Sequence, residues 1–90
     1  MNRDQVWRAV VTLVQIYSAA EGQAWRMVPI SRVEGELDEL LSVLGHLALM
    51  NLVRQSGAGV QLTPEGAATA EAWCAQVWFS FRKAESDARR

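Results

Sequence analysis

The stretch that decides the fold is residues 52–66, which read Leu-Val-Arg-Gln-Ser-Gly-Ala-Gly-Val-Gln-Leu-Thr-Pro-Glu-Gly. Two short segments with strand character, 53–55 and 60–62, flank the turn sequence Ser-Gly-Ala-Gly and predict a β-hairpin. We expect both glycines of this turn to supply positive φ angles. Thr63 and Pro64 then predict a helix start, as its cap and its first helical residue. The stretch is therefore a hairpin that leads directly into a helix.

Helices are predicted at both ends of the chain. The first covers residues 1–20, with Asn2 or Asp4 as its cap and a left-handed end at Gly22. Apolar residues cover most of its circumference, whereas a surface helix needs only one apolar stripe. We therefore expect this helix to be central in the domain or to contact a partner. The last helix is expected over 63–84.

Two other segments have simpler interpretations. Residues 85–90 are charged and are expected to form a frayed tail. Residues 25–30 are short and apolar, and Pro29 within them excludes a central strand, because proline cannot donate to the ladder. This segment is expected to be either an edge strand or an extended link.

The middle of the chain allows two interpretations. Ser31, with a glutamate three residues later, has the pattern of a capping box and predicts a helix start. Helical apolar spacing then continues without interruption, so one long helix is possible. The alternative is two helices, 31–37 and 39–51, in which Gly35 weakens the first and Asp38 caps the second. We favour two helices, because the hairpin that follows suits a helix-turn-helix.

The order of these elements resembles the winged-helix regulators of the MarR and PadR type. The resemblance rests on Asn-Leu-Val at 51–53 and Leu-Thr-Pro-Glu-Gly at 62–66. It implies a winged helix-turn-helix fold, mainly α with a small β-hairpin (α+β), three to four helices and a two-stranded hairpin called the wing. Residues 1–90 would form one domain, with 31–51 as the helix-turn-helix region and 53–62 as the wing.

The resemblance also implies a function, which is DNA binding as a homodimeric transcriptional regulator. The residues that would face the DNA groove by position are Glu39, Ser42, Val43, Gly45 and His46. The residues expected to contact double-stranded DNA are Arg26, Ser31, Arg32, Ser42, His46 and Arg54. The residues expected at the dimer interface are Val6, Trp7, Val11, Trp73, Val77, Trp78 and Phe81.

The charge of the chain supports a second function. The net charge is −1, and residues 31–53 carry one arginine and four acidic residues. A DNA duplex presents a phosphate about every 1.7 Å of its axis and repels an acidic face. The alternative is therefore a winged-helix protein-interaction module that binds a partner through its acidic Glu34–Glu39 face or its aromatic last helix.

Other classes of function find no support in the residue pattern. The sequence contains no nucleophile triad, nucleotide-binding loop or phosphate cradle, so we expect neither an enzyme nor a cofactor. The lone His46 and the lone Cys74 cannot supply the three or four ligands of a metal site. A single cysteine forms no internal disulfide, which fits a reducing cytoplasm. No signal segment and no membrane span are evident, so the expected location is cytoplasmic.

Overall fold

The computed structural model describes residues 2–88, and the side chains of residues 2–76. Its elements are α1 (Arg3–Ala19), β1 (Val28–Pro29), a 3-10 turn (Ile30–Arg32), α2 (Leu37–Leu49), β2 (Val53–Ser56), β3 (Gly59–Leu62) and α3 (Pro64–Ala88). This confirms the predicted mainly helical α+β class, and the order is compatible with a winged helix. The last helix continues beyond its predicted end at residue 84. Among the described residues, none of the helices is long and apolar enough to cross a lipid bilayer.

Both ends of α1 are fixed by local hydrogen bonds. Asn2, one of the two predicted caps, accepts a bond from the Gln5 amide, and the Gln5 side chain accepts one from the Asn2 amide. This reciprocal pair is a capping box. At the other end, the Gly22 amide donates to the Tyr17 carbonyl at 2.9 Å. Glu21 and Gly22 have φ angles of 55° and 76°, so the predicted left-handed end is confirmed and begins at Glu21.

The predicted short helix beginning at Ser31 is wrong. A single 3-10 turn, Ile30–Arg32, takes its place, and Ser31 lies inside that turn rather than at a cap. The alternative of one continuous helix is also wrong, because the chain turns at Gly35 with a φ of 134°. The second helix of this region begins behind Glu36, which occupies the cap position without a side-chain cap bond. Asp38 therefore lies in the first turn of α2 and is not its cap.

The sheet explains why no helix forms here. The amide of Ile30 donates to the carbonyl of Ala58 at 2.9 Å, which ties the start of this segment to the hairpin. Gly35 reverses the chain a few residues later. Only a few residues separate these two points. The first turn of an α-helix orders several residues for a single hydrogen bond, so a segment this short does not nucleate a helix.

The sheet has the strand order β1-β3-β2, so β1 is an edge strand. This confirms the edge-strand interpretation of residues 25–30. Proline has no backbone N–H to donate to a neighbouring strand, and this loss costs least on an edge strand. In the hairpin Ser56 pairs with Gly59, which leaves a two-residue loop. Gly57 in this loop has a φ of 57°. Gly59 does not have a positive φ, contrary to prediction, and a Cβ there would meet only the flexible, half-exposed side chain of Met27.

One apolar core lies between the inner face of the sheet and the helices. Its largest fully buried side chains come from α1 and α2 and from the strands, and they include Leu13, Ile16, Leu44, Val28, Val53, Val60 and Leu62. Ala70 joins this core from α3. The opposite side of α1 is not covered, and Trp7 remains 60% exposed. The core therefore buries one stripe of α1 and leaves part of its apolar circumference to solvent.

The segment that carries the resemblance joins the end of α2 to the start of α3. The Thr63 hydroxyl donates to the Asn51 carbonyl at 2.6 Å and accepts from the Gly66 amide at 3.0 Å. The Asn51 side-chain amide donates to a Glu65 carboxylate oxygen at 2.7 Å. A Cβ on Gly66 would collide with the Leu52 carbonyl, so only glycine fits there. These residues have a structural role, and none of them depends on a ligand.

Candidate functional site

The exposed side of α2 is the surface that was expected to face DNA. Ser42 and His46 are exposed and line a shallow groove of about 380 Å³ that α2 forms with the first turns of α1. Gln5 and Arg8 lie on the α1 side of this groove. Val43, another residue expected to face the groove of DNA, lines the same groove and also packs partly against the core. The predicted contact residues on α2 therefore face the start of α1.

The basic residue beside this surface is already paired. An Arg8 guanidinium nitrogen lies 2.7 Å from a Glu39 carboxylate oxygen. The hydrogen bond to Glu39, together with the attraction of its negative charge, raises the pKa of Arg8 above its ordinary value. Arg8 therefore stays protonated, and the two charges offset each other on the surface.

Two of the predicted DNA-contacting arginines lie near Trp25. The guanidinium of Arg54 lies 5.1 Å from the centre of the Trp25 ring, within the range of a cation–π contact. The Gln61 side chain donates to the Trp25 carbonyl at 2.9 Å, which ties the aromatic residue to β3. Arg26 follows Trp25 in the chain and forms an ion pair with Glu21 at 3.2 Å. We call Trp25, Arg26 and Arg54 the arginine–tryptophan cluster.

The six predicted DNA-contacting residues are found in three local settings. Arg26 and Arg54 belong to the arginine–tryptophan cluster, and Ser42 and His46 face α1. Ser31 and Arg32 are exposed in the 3-10 turn, where Ser31 borders a different groove.

That different groove opens between α2 and the tip of the hairpin. It has a volume of about 560 Å³ and is lined by Pro29, Ile30, Ser31, Val33, Gly35, Leu37, Leu40, Leu41, Gln55, Gly57 and Ala58. Leu37 is 60% exposed and Leu41 is 38% exposed, although both are large apolar side chains. We call this the apolar groove. Helical spacing in the sequence included both leucines, but nothing in it indicated that they would remain uncovered.

Acidic residues alternate with the residues of the apolar groove. Glu34 and Glu36 separate Val33, Gly35 and Leu37, and all three acids from residue 34 to 38 are exposed. Residues 31–53 as a whole carry a net charge of −3. None of these acids lines the apolar groove itself; they lie in the adjoining segment, and Glu34 and Glu39 line a groove on the α1 side.

A third groove lies on the other side of the segment 33–36, between that segment and α1. It has a volume of about 380 Å³ and is lined by Trp7, Arg8, Val11, Thr12, Gln15, Glu34, Gly35, Glu39, Leu40 and Val43. The Oε1 atom of Gln15 is buried and has no hydrogen-bond partner among the described residues. We call this the acidic groove. Sequence reasoning missed it, because Trp7 and Gln15 are far from Glu34 along the chain.

The predicted dimer interface is only partly visible in the described side chains. Val6, Trp7 and Trp73 are exposed, and Val11 is half-buried. The side chains of Val77, Trp78 and Phe81 lie outside the described residues. Large apolar side chains are therefore exposed on both α1 and α3, but whether another molecule covers them stays a prediction.

The candidate sites are thus two grooves and a cluster of side chains. Within the described part of the chain, no three histidine, cysteine or acidic side chains converge in a way that would hold a metal ion. No family model, no curated protein and no solved structure matches this chain.

Proposed function

We propose that this domain is a cytoplasmic protein-interaction module, and that its apolar groove holds an apolar, positively charged segment of another protein. The observation that carries the proposal is the exposure of Leu37 and Leu41 in a groove that adjoins the exposed acidic segment 34–39. Leucines on one side of a helix that remain open to water are favourable anchors for a partner. Complete burial of such a side chain contributes about 1.5–3 kcal/mol.

Charge determines which kind of partner this surface favours. The acidic residues from Glu34 to Glu39 attract a basic segment and accelerate its approach, and they repel other acidic proteins. The same charges oppose the phosphates of a nucleic acid, which is why α2 is a poor candidate for insertion into a DNA groove. The exposed surface of α2 is thus suited to a basic protein segment.

A random peptide library displayed on phage tests this proposal, because it samples many partner sequences at once. We expect the selected peptides to share apolar residues flanked by lysine or arginine. Leu41→Asp should weaken a selected peptide at least tenfold, because it places a charge in the apolar groove. Leu49→Asp is the matched control, since Leu49 lies on the same helix, is 86% exposed and does not line the apolar groove.

Three results would contradict the proposal: a library that yields no specific binder, selected peptides that are acidic, or peptides that bind Leu41→Asp as well as the parent. Circular dichroism of both variants provides the necessary check that each remains folded. A loss of binding that was equal in Leu41→Asp and Leu49→Asp would place the binding surface outside the apolar groove.

A second candidate is the DNA-binding function that the resemblance implies, with the chain as a homodimeric regulator. The arginine–tryptophan cluster favours it, because Arg54 places positive charge on the hairpin, whereas the charge of Arg26 is offset by Glu21. In a winged helix the hairpin contacts the DNA backbone or minor groove. Ser31, Arg32, Ser42 and His46 would supply the remaining contacts in this proposal.

A gel-shift titration with random-sequence duplex at low and moderate salt tests the DNA candidate. If the candidate is correct, Arg54→Gln weakens binding to all sequences and reduces the salt dependence by about one phosphate contact. Arg3→Gln is the control, since it removes the same charge from the first residue of α1. Absence of any complex at low salt would refute DNA binding.

A further inference from the structure

We infer that the acidic groove accepts one arginine side chain of the partner segment, next to the apolar residues that occupy the apolar groove. This inference rests on the proposed function, and it adds a definite chemical requirement for the partner. The groove presents two groups that suit a guanidinium, the indole of Trp7 and the carboxylate of Glu34, and the amide oxygen of Gln15 is buried in its wall.

Each of these groups favours a planar cation. The Trp7 ring is 60% exposed, and the face of an indole attracts a guanidinium. The carboxylate of Glu34 accepts hydrogen bonds from a guanidinium and carries the opposite charge, so it attracts the cation. Arginine carries five donors in a flat fork, so one side chain can satisfy several acceptors at once, whereas a lysine has a compact ammonium.

The buried Oε1 atom of Gln15 is the observation that distinguishes a built groove from an acidic surface. A buried acceptor that lacks a hydrogen bond costs about 1–3 kcal/mol. Within the described residues this atom has no partner, although Gln15 lines the groove. The atom has less than 1 Å² of accessible surface, so a guanidinium in the groove could donate to it only after the Gln15 amide turns toward the groove.

The two carboxylates of the acidic groove are not equivalent. Glu39 is paired with Arg8 at 2.7 Å. No ion pair to Glu34 is found among the described residues, so Glu34 is the carboxylate that faces an incoming cation without competition from a neighbouring base. Arg8 itself carries a positive charge, and its pairing with Glu39 keeps that charge from repelling the arginine of the partner.

The acidic and apolar grooves adjoin each other. Gly35 and Leu40 line both, and the segment around Gly35 forms the ridge between them. A Cβ on Gly35 would meet no atom within 4 Å, so there is open space above this ridge. A partner segment can therefore cross it closely, with apolar side chains on one side and an arginine on the other.

A small probe tests the acidic groove separately from any peptide. The probe is N-acetyl-arginine methylamide, and its neutral isostere N-acetyl-citrulline methylamide is the control ligand. We expect the arginine probe to shift the NMR signals of the Trp7 indole N–H and the Gln15 side-chain amide, and we expect the citrulline probe to leave both unchanged. The affinity should decrease as salt is added, because the contact is ionic and exposed.

Variants locate the contact within the groove. Gln15→Leu removes the buried acceptor at similar size and should weaken the arginine probe about tenfold, as expected for a hydrogen bond to a charged group. Glu34→Gln should weaken it at least about threefold. Glu71→Gln is the control, because it removes the same charge from an exposed position on α3 outside both grooves.

The inference is overturned if the arginine probe shifts neither signal, if citrulline binds equally well, or if Glu71→Gln weakens binding as much as Glu34→Gln. Its failure can be distinguished from failure of the proposed function. If library peptides lose affinity in Leu41→Asp but not in Gln15→Leu, the apolar groove stands and the arginine contact is wrong. If the arginine probe binds but no peptide depends on Leu41, the acidic groove stands and the proposed occupant of the apolar groove is wrong.

Discussion

Single residues of the joint between α2 and α3 explain why the sequence resembles a known type of domain. Thr63 was predicted to cap the last helix, and its bond to the Gly66 amide confirms this. Its second bond, to the Asn51 carbonyl, was not predictable from the sequence, because it depends on where α2 ends in space. The resemblance therefore reflects how two helices are joined, and it says little about what the domain binds.

Two glycines in helices have opposite roles, and this difference predicts opposite effects of alanine. A Cβ on Gly66 would strike the Leu52 carbonyl, whereas a Cβ on Gly45 would meet no atom within 4 Å. Gly66→Ala should lower the free energy of unfolding by about 2 kcal/mol or more. Gly45→Ala should raise it by about 0.5–1 kcal/mol, because alanine favours the helix.

Urea unfolding of the two variants beside the parent measures both effects, and each variant serves as the control for the other. Equal changes in the free energy of unfolding, or stabilisation by Gly66→Ala, would show that Leu52 does not approach this residue as the structure indicates.

At the level of elements, the sequence predicted those parts of the fold that local signals determine. The hairpin and both terminal helices were found, and the edge strand was one of two interpretations, because turn residues, caps and Pro29 act on their immediate neighbours. The segment 31–36 was not, since its capping-box pattern competes with a hydrogen bond from Ile30 to the distant Ala58. Tertiary pairing prevailed over local propensity there.

The same segment determines how much of the candidate site could be foreseen. The acidic run from Glu34 to Glu39 was visible in the sequence and was assigned to a partner surface. The grooves on either side of it were not, because their walls come from α1, α2 and the hairpin. The exposure of Leu37 follows from the position of the break before α2, and the sequence left that position open.

Gly35 fixes this break, which gives a prediction at the level of the element. Its φ of 134° lies in a region that residues with side chains rarely adopt. Since a Cβ would meet no neighbour there, the cost of Gly35→Ala should come from the backbone alone. We expect a loss of about 1–3 kcal/mol in the free energy of unfolding, measured by thermal or urea denaturation.

Gly45→Ala again provides the comparison, because its surroundings are equally open and its φ is not positive. A change below about 0.5 kcal/mol in Gly35→Ala would mean that the turn before α2 does not require a glycine, and that the ridge between the two grooves is less fixed than its φ angle indicates.

Over the whole molecule, charge separates the two candidate functions. The acidic run from Glu34 to Glu39 lies at the start of α2, whereas Arg54 lies over Trp25 beside the sheet and Arg26 is paired with Glu21. A protein partner and a nucleic acid would therefore use different surfaces of the same small domain. This separation makes the peptide and DNA experiments independent, since Leu41→Asp and Arg54→Gln each affect one surface.

Exposed apolar side chains on α1 and α3 favour self-association of the whole molecule. Val6 and Trp73 are exposed, and neither lines the apolar or the acidic groove. A homodimer formed through these residues would leave both grooves open, whereas one that also used Trp7 would cover the acidic groove. We expect the chain to sediment as a dimer, because exposed aromatic side chains are frequent anchors of protein interfaces.

Sedimentation equilibrium of Trp73→Glu tests the dimer. A charge at this position should weaken self-association at least tenfold, since it would be buried without a partner on assembly. Leu49→Glu is the control, because it adds the same charge to a side chain that is 86% exposed on a different helix. A monomeric mass for the parent at every concentration would refute the dimer. A dimer that persisted in Trp73→Glu would have its interface elsewhere. The same substitution at Trp7 would then test whether the dimer covers the acidic groove.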